Sequence, residues 1–248
     1  MYCYVYDDFV QDGKYANDLD RIENRITDLG LQGKIVRLAL FRDADEIIRR
    51  EVAEGVKTVV VVGNDKTVHK VANVVVGTKV TLAILPIGEG QVFAQILGIP
   101  GGVEACDVLS QRILEKMDAG EVNGHRFFTG AFLKDVRAEI RAGGKYRVLM
   151  TAAGDIEIRN LAVHIPENRS DVSNPTDGKL EIVIYSTARR LFRQKKTETR
   201  LPLAEFSLHL AKQAIAIVDG AEIESDVFNF KTEIGALSVV VGRERMFG

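Results

Sequence analysis

The sequence predicts an α/β chain in two parts: an open, Rossmann-like α/β domain over residues 1–100 and an antiparallel β-sandwich domain over residues 101–248. Two observations carry this. Strand-type and helix-type runs alternate through the first hundred residues, as parallel βαβ units require. Beyond Ile99-Pro100-Gly101-Gly102 the runs become short strands separated by turn residues, with the boundary expected near residues 98–104.

Cys3–Val5 reads as a first strand. From Asp18 to Leu29 the apolar residues Leu19, Ile22, Ile26 and Leu29 fall on one helical face, and Gly30 closes the helix. Lys34–Leu40 reads as a strand, and Ala44–Glu54 as a helix with Ile47, Ile48 and Val52 on one face. Thr58–Val62 is an unbroken β-branched run, the mark of a strand buried on both faces. Thr67–Val76 follows as helix, Thr81–Leu85 as a second buried strand, a helix starts near Gln91, and Ala105–Met117 reads as one more helix. In the second half Asp155–Arg159, Leu180–Tyr185, Ala214–Val218 and Leu237–Val241 carry strand patterns. Gly143-Gly144, Asn174-Pro175, Asp177-Gly178 and Asp219-Gly220 supply the turns between strands.

Composition narrows the class. With 248 residues, 46% hydrophobic and 27% charged, the chain is globular and long enough for a sizeable core. A net charge of −2 gives no overall attraction to nucleic acid, so none is expected as a partner. Two cysteines, Cys3 and Cys106, cannot build a disulfide framework or a four-ligand zinc site, and fit a reducing, cytoplasmic setting. The start MYCYVYDDFV lacks a signal peptide's basic region, and no apolar run approaches a membrane span. His69, His125, His164 and His209 are scattered, without metal-ligand spacing.

Two turns hold the chemistry. In Val59-Val-Val-Val-Gly63-Asn64-Asp65-Lys66-Thr67 a buried strand ends in a polar turn and a helix begins. Such a joint aims backbone N–H groups at the crevice beyond the strand ends, which suits an anion such as phosphate. It is also a joint that every α/β protein contains. A second one, Pro86-Ile87-Gly88-Glu89-Gly90-Gln91, follows the next strand, and the pair makes one wall of a nucleotide-sized site.

The order of these and three further segments resembles the diacylglycerol kinase catalytic family, which includes bacterial lipid kinases and is related to NAD kinases. Gly63-Asn-Asp-Lys-Thr67 resembles its G-G-D-G-T loop. Pro86-Ile-Gly-Glu-Gly-Gln-Val-Phe-Ala94, with Leu97-Gly98-Ile99-Pro100, resembles P-x-G-T-x-N-D-F-A-x-x-L-G-I-P. Met117-Asp118-Ala-Gly120-Glu-Val-Asn123 resembles I-D-x-G-x-V-N. Thr176-Asp177-Gly178-Lys179-Leu180 resembles D-D-G-x-L, and Val218-Asp219-Gly220-Ala221 resembles V-D-G-E. The resemblance implies a nucleotide-binding first domain, a substrate-binding second domain, ATP and Mg2+ as cofactors, and a lipid or other alcohol as acceptor. It implies catalytic roles for Asp65, Asp118, Asp219 and, standing in for a missing glutamate, Glu222. ATP contacts are implied at Gly63, Asn64, Asp65, Lys66, Thr67, Gly88, Glu89 and Gly90, and a structural cation at Asp177; Asp177-Gly178 read by itself is an ordinary hairpin turn.

The departures fall on the chemistry. Asn64 and Lys66 replace two glycines, and a lysine held at positive φ would cost roughly 1–2 kcal/mol. Lys66 could instead pair with phosphate. Glu89 stands where the family has Thr, Gln91 where it has Asn, and Val92 where it has Asp. Ala221 replaces the V-D-G-E glutamate and cannot accept a proton, while Glu222 points to the other face of its strand. Tyr4-Val5-Tyr6-Asp7-Asp8 stands in place of the family's N-P-x-S-G turn and adds negative charge. Two readings stay open: an ATP-dependent kinase of a lipid or other alcohol with eroded motifs, or an inactive pseudokinase that binds a nucleotide, another anion or a protein partner. The basic stretch Arg189–Lys196 allows peripheral contact with an anionic membrane but equally a solvated face. A homodimer is compatible with the β-sandwich edges.

Overall fold

The computed structural model describes every residue except 39–43, 145, 165–170 and 191–192; the side chains of residues 44, 186–190 and 193–196 are outside the description as well. The chain forms two compact units, Met1–Met117 with Ala236–Gly248, and Asp118–Gly235. The division therefore falls at 117/118 and again at 235/236, not at 100/101.

The first unit is α/β. Strands β1 (Tyr2–Tyr6), β2 (Gly33–Arg37), β3 (Thr58–Gly63) and β4 (Thr81–Pro86) alternate with helices α1 (Ala16–Asp28), α2 (Ala44–Ala53) and α3 (Asp65–Val75), followed by α4 (Val92–Ile96) and α5 (Glu104–Gln111). The strands are parallel in the order β2-β1-β3-β4. β3 and β4 are buried along their whole length, which is why both read as continuous apolar runs rather than alternating ones. Ile22 and Ile26 bury the inner face of α1. Gly30, at φ +66, ends that helix in a left-handed turn, with its N–H donating to Thr27 O and Leu31 N to Ile26 O. Of the strand expected at Lys34–Leu40, the observed part is β2, and residues 39–40 lie outside the described residues.

Two segments differ from the sequence reading. The helix expected over Ala105–Met117 stops at Gln111, because Arg112 turns left-handed (φ 51) and its guanidinium donates to Thr58 Oγ1 at 3.0 Å. Residues Ile113–Val122 are strand β5. The run Leu237–Val241, expected in the antiparallel half, is the end of the 21-residue strand β14 (Ala221–Val241), and Ser238 and Val239 pair in parallel with Thr81 and Leu82 of β4. Its β-branched residues are buried like those of β3 and β4.

The second unit is antiparallel. It contains β6 (His125–Phe127), β7 (Gly130–Val136), β8 (Ala138–Ala142), β9 (Tyr146–Leu149), β10 (Gly154–Arg159), β11 (Leu180–Arg190), β12 (Arg193–Leu203) and β13 (Glu205–Val218), with the second half of β5 and most of β14. β13 pairs with β8 along its first half and with β7 along its second, with an irregularity between His209 and Ala214. That irregularity folds the sheet so that Phe206, Leu208, Ala216 and Val218 share one core with Ile156, Ile158, Phe228 and Phe230. The predicted turns Gly143-Gly144 and Asp219-Gly220 close the β8–β9 and β13–β14 hairpins, all four residues at positive φ.

Candidate active site

In the first unit the two glycine turns lie side by side at the carboxyl ends of β3 and β4. Gly63 pairs with Pro86, Ile87 N donates to Gly63 O at 3.0 Å, and Asp65 N donates to Gly90 O at 2.8 Å. Helix α3 begins directly after Asn64, two residues before the expected start at Thr67. Asn64 is extended (φ −106, ψ −179) and its Oδ1 accepts the Thr67 N–H at 3.4 Å, an N-cap. Lys66 therefore sits in the first helical turn, exposed and without positive φ, so the backbone cost expected for it does not arise. A side chain at Gly63 would crowd Thr67 Oγ1 at 3.1 Å and Asp7 Cβ at 3.4 Å. This glycine lets Asp7 reach Thr67, whose hydroxyl donates to Asp7 Oδ2.

The carboxylate of Asp65 accepts from Val92 N at 2.7 Å and Phe93 N at 3.2 Å, capping the short helix α4. The second turn keeps its glycine character: Gly88 (φ +85) and Gly90 (φ +75) adopt the left-handed backbone that other residues disfavour. Glu89 between them is exposed, and Gln91 Nε2 folds back to Gly88 O at 2.7 Å. A Cβ at Gly88 would fall 2.8 Å from the Phe9 ring, and Tyr15 packs edge-on against Phe9 at 5.6 Å. Behind the turns, burial holds the Tyr6 phenol protonated far above its ordinary range, and its hydroxyl donates to Glu23 Oε1 at 3.1 Å.

The remaining candidates lie in the second unit. Asp118 is buried; its Oδ2 accepts Gly178 N and its Oδ1 accepts Gly235 N, both at 2.7 Å, while its own N–H donates to Pro175 O at 2.6 Å. Asp219, in a left-handed turn (φ 45), accepts from Phe128 N at 2.7 Å and from Thr129 N and Gly130 N at 3.1 Å each, with the Thr129 hydroxyl as a further donor. Between these two clamps Asn160 Nδ2 donates to Asp118 O at 2.8 Å and Phe128 O at 2.9 Å. Asp177 is exposed, and its Oδ1 accepts Lys179 N at 3.0 Å, a local turn contact. Glu222 is exposed opposite Ile217, and Ala221 opposite Val218.

The structure thus groups Gly63–Thr67 with Gly88–Gly90, and groups Asp118 with the Asp177 hairpin. Asp219 clamps a different segment, and Glu222 contacts neither carboxylate by a hydrogen bond. Among the described residues no three His, Cys, Asp or Glu side chains converge to hold a metal ion. Two residues of consequence carried no sequence signal: Phe9, one aromatic in a short loop, and Asn160, whose burial no periodicity reveals.

Comparisons with known proteins bear on the family and the fold. Residues 4–122 match the family described as the diacylglycerol kinase catalytic domain. A protein of Pseudomonas aeruginosa (strain PAO1) named "Probable lipid kinase YegS-like" is 37% identical over 101 residues, 39% of this chain and 33% of that protein. Its namesake in Pseudomonas syringae pv. tomato (strain DC3000) is 33% identical over the same shares. The match spans about a third of the length of these relatives. The crystal structure of a diacylglycerol kinase from Bacillus anthracis str. Sterne superposes with a TM-score of 0.82 at 15% identity, covering 98% of this chain and 97% of that one, a likeness of fold.

Proposed function

We propose that the first unit binds ATP weakly at the paired glycine turns and that the chain is a slow or inert phosphotransferase toward a lipid or other alcohol, a reading supported by the match of residues 4–122 to the diacylglycerol kinase catalytic domain. The single observation behind the binding half is the juxtaposition of the two turns, tied by Asp65 N to Gly90 O at 2.8 Å. Gly88 and Gly90 expose backbone without side chains at positive φ, which suits close approach of a phosphate. Lys66, exposed in the first turn of α3, is the cation that would pair with it. ATP supplies the transferable γ-phosphoryl group; the protein's part is to orient it and offset its charge. Among the described residues no acidic cluster forms a cage for Mg2+, so an ion there would be held chiefly by the nucleotide's phosphates and water.

A second reading, a pseudokinase, is favoured by a specific observation. Asp65, Asp118 and Asp219 all turn their carboxylates onto backbone N–H groups, and Ala221 offers no base. A carboxylate whose oxygens are taken up by fixed backbone donors is not aimed at a substrate hydroxyl, as a general base has to be. Glu222, exposed on β14, is then the remaining candidate base. No helix among the described residues is long and apolar enough to cross a membrane. Membrane contact through Arg189–Lys196 is a proposal only; Leu191 and Phe192 lie outside the described residues, as do the side chains around them. A homodimer, a cytoplasmic location and a cation at Asp177 stand equally as proposals.

The test is calorimetric titration with ATP, with and without Mg2+, followed by turnover assays on diacylglycerol and other alcohol acceptors. Weak Mg2+-assisted binding with little turnover is the expected result. Robust turnover abolished by Asp65→Ala overturns the inert half, and no heat at millimolar ATP overturns the binding half.

A further inference from the structure

We propose that Asp7 and Phe9 hold the glycine-turn crevice in a self-occluded form, which opens before a phosphate-bearing ligand seats. The inference rests on the nucleotide reading above and concerns what limits its affinity. Asp7 abuts the first turn: its carboxylate accepts from Thr67 Oγ1 and its Cβ lies 3.4 Å from where a Gly63 side chain would start. Phe9 abuts the second: its ring carbons lie 2.8 and 3.2 Å from the Cβ position of Gly88, with the Tyr15 hydroxyl 3.3 Å away. The place where a phosphate would meet the Gly88 backbone is thus filled by an aromatic ring. The place where it would meet the start of α3 faces a carboxylate, a like charge at contact range.

The segment carrying both residues is built to release. It consists of two single 3-10 turns, Asp8–Gln11 and Gly13–Tyr15, with Gln11–Lys14 exposed. Its internal bonds include Val10 N to Asp7 O at 3.4 Å, Asp12 N to Phe9 O at 3.1 Å, Tyr15 N to Asp12 O at 2.9 Å and Lys14 N to Asp12 Oδ1 at 3.3 Å. Val10, fully buried, and Asp7 N on Val62 O at 3.1 Å anchor its root. A short ladder and an exposed tip mark a low-energy local opening. Apparent affinity then falls in proportion to the fraction of open molecules.

The experiment compares the full chain with Phe9→Ala and Asp7→Asn, the latter keeping an oxygen to accept from Thr67. Each is titrated with Mg2+-ATP and with inorganic tripolyphosphate, and amide hydrogen exchange over residues 9–15 is followed with and without ATP. Thermal melts verify folding, and Phe9→Leu, which keeps apolar bulk while removing the ring, serves where Phe9→Ala does not fold. Occlusion predicts that the Phe9 variant and Asp7→Asn each lower the ATP Kd by about tenfold or more, and that ATP speeds exchange at residues 9–15. Equal Kd values for wild type and variants, or exchange slowed by ATP, overturn the occlusion and leave the nucleotide reading standing. Failure of all variants to bind either probe overturns both.

Discussion

Asp219→Ala separates a structural clamp from a catalytic carboxylate. Asp219 accepts three backbone N–H groups, from Phe128, Thr129 and Gly130, and all three of those residues are buried. A hydrogen bond to a charged group contributes about 1.5–3 kcal/mol, and a buried donor left unpaired costs about 1–3 kcal/mol. Bonds to one carboxylate are not additive, so the three together are worth about 4–6 kcal/mol rather than their sum. Alanine at φ 45 adds about 1 kcal/mol of backbone strain. For a chain of this size, 1 kcal/mol moves Tm by about 2–4 °C, which predicts a fall of roughly 10–30 °C. Asp219→Gly removes the strain but not the lost bonds, and should stay within about 1 kcal/mol of the alanine variant. Asp219→Asn keeps one acceptor and should lose about half as much. Urea unfolding followed by circular dichroism reads all three. A melting point for Asp219→Ala within 2 °C of wild type, with any activity abolished, would refute the clamp and restore a catalytic role.

The other predictions are smaller or of opposite kind. Asp65→Ala uncaps α4 at Val92 and Phe93 and should cost about 1–2 kcal/mol in the same unfolding assay. Glu222→Ala, at an exposed position, should leave stability within about 0.5 kcal/mol of wild type, and a loss of turnover of about a hundredfold or more in that variant would identify Glu222 as the base. Burial pushes the thiols of Cys3 and Cys106 up to about 11, so neither should react with a thiol-titrating disulfide at pH 8 until the chain unfolds. The unfolded thiols ionise near pH 9 and the folded ones near 11, so the unfolded state holds fewer protons between those values. Stability is then complete below about pH 9 and falls through the window to pH 11, by up to about 3 kcal/mol per thiol; a flat stability profile over that window would contradict this.

The α/β part of the fold was legible because its signals are local. Thr58–Val62 and Thr81–Leu85 are buried on both faces, and burial of that kind leaves an uninterrupted apolar run that no exposed strand needs. Gly30, Gly143-Gly144 and Asp219-Gly220 were legible as turns for the same reason, since positive φ is a single-residue demand. The motif order likewise points to the family from the sequence alone. Partners distant in sequence were decided by the tertiary structure alone. Whether Leu237–Val241 joins the parallel sheet or the antiparallel one depends on β4, some 155 residues earlier. Asp118 and Asp219 look like reactive carboxylates in one dimension, because a sequence displays an acidic side chain but not the donors around it. Folding brings Gly178, Gly235 and Phe128–Gly130 to them and makes them clamps. Phe9 acquires its place over Gly88 in the same way, through contact between residues whose neighbourhood exists only once the strands have paired.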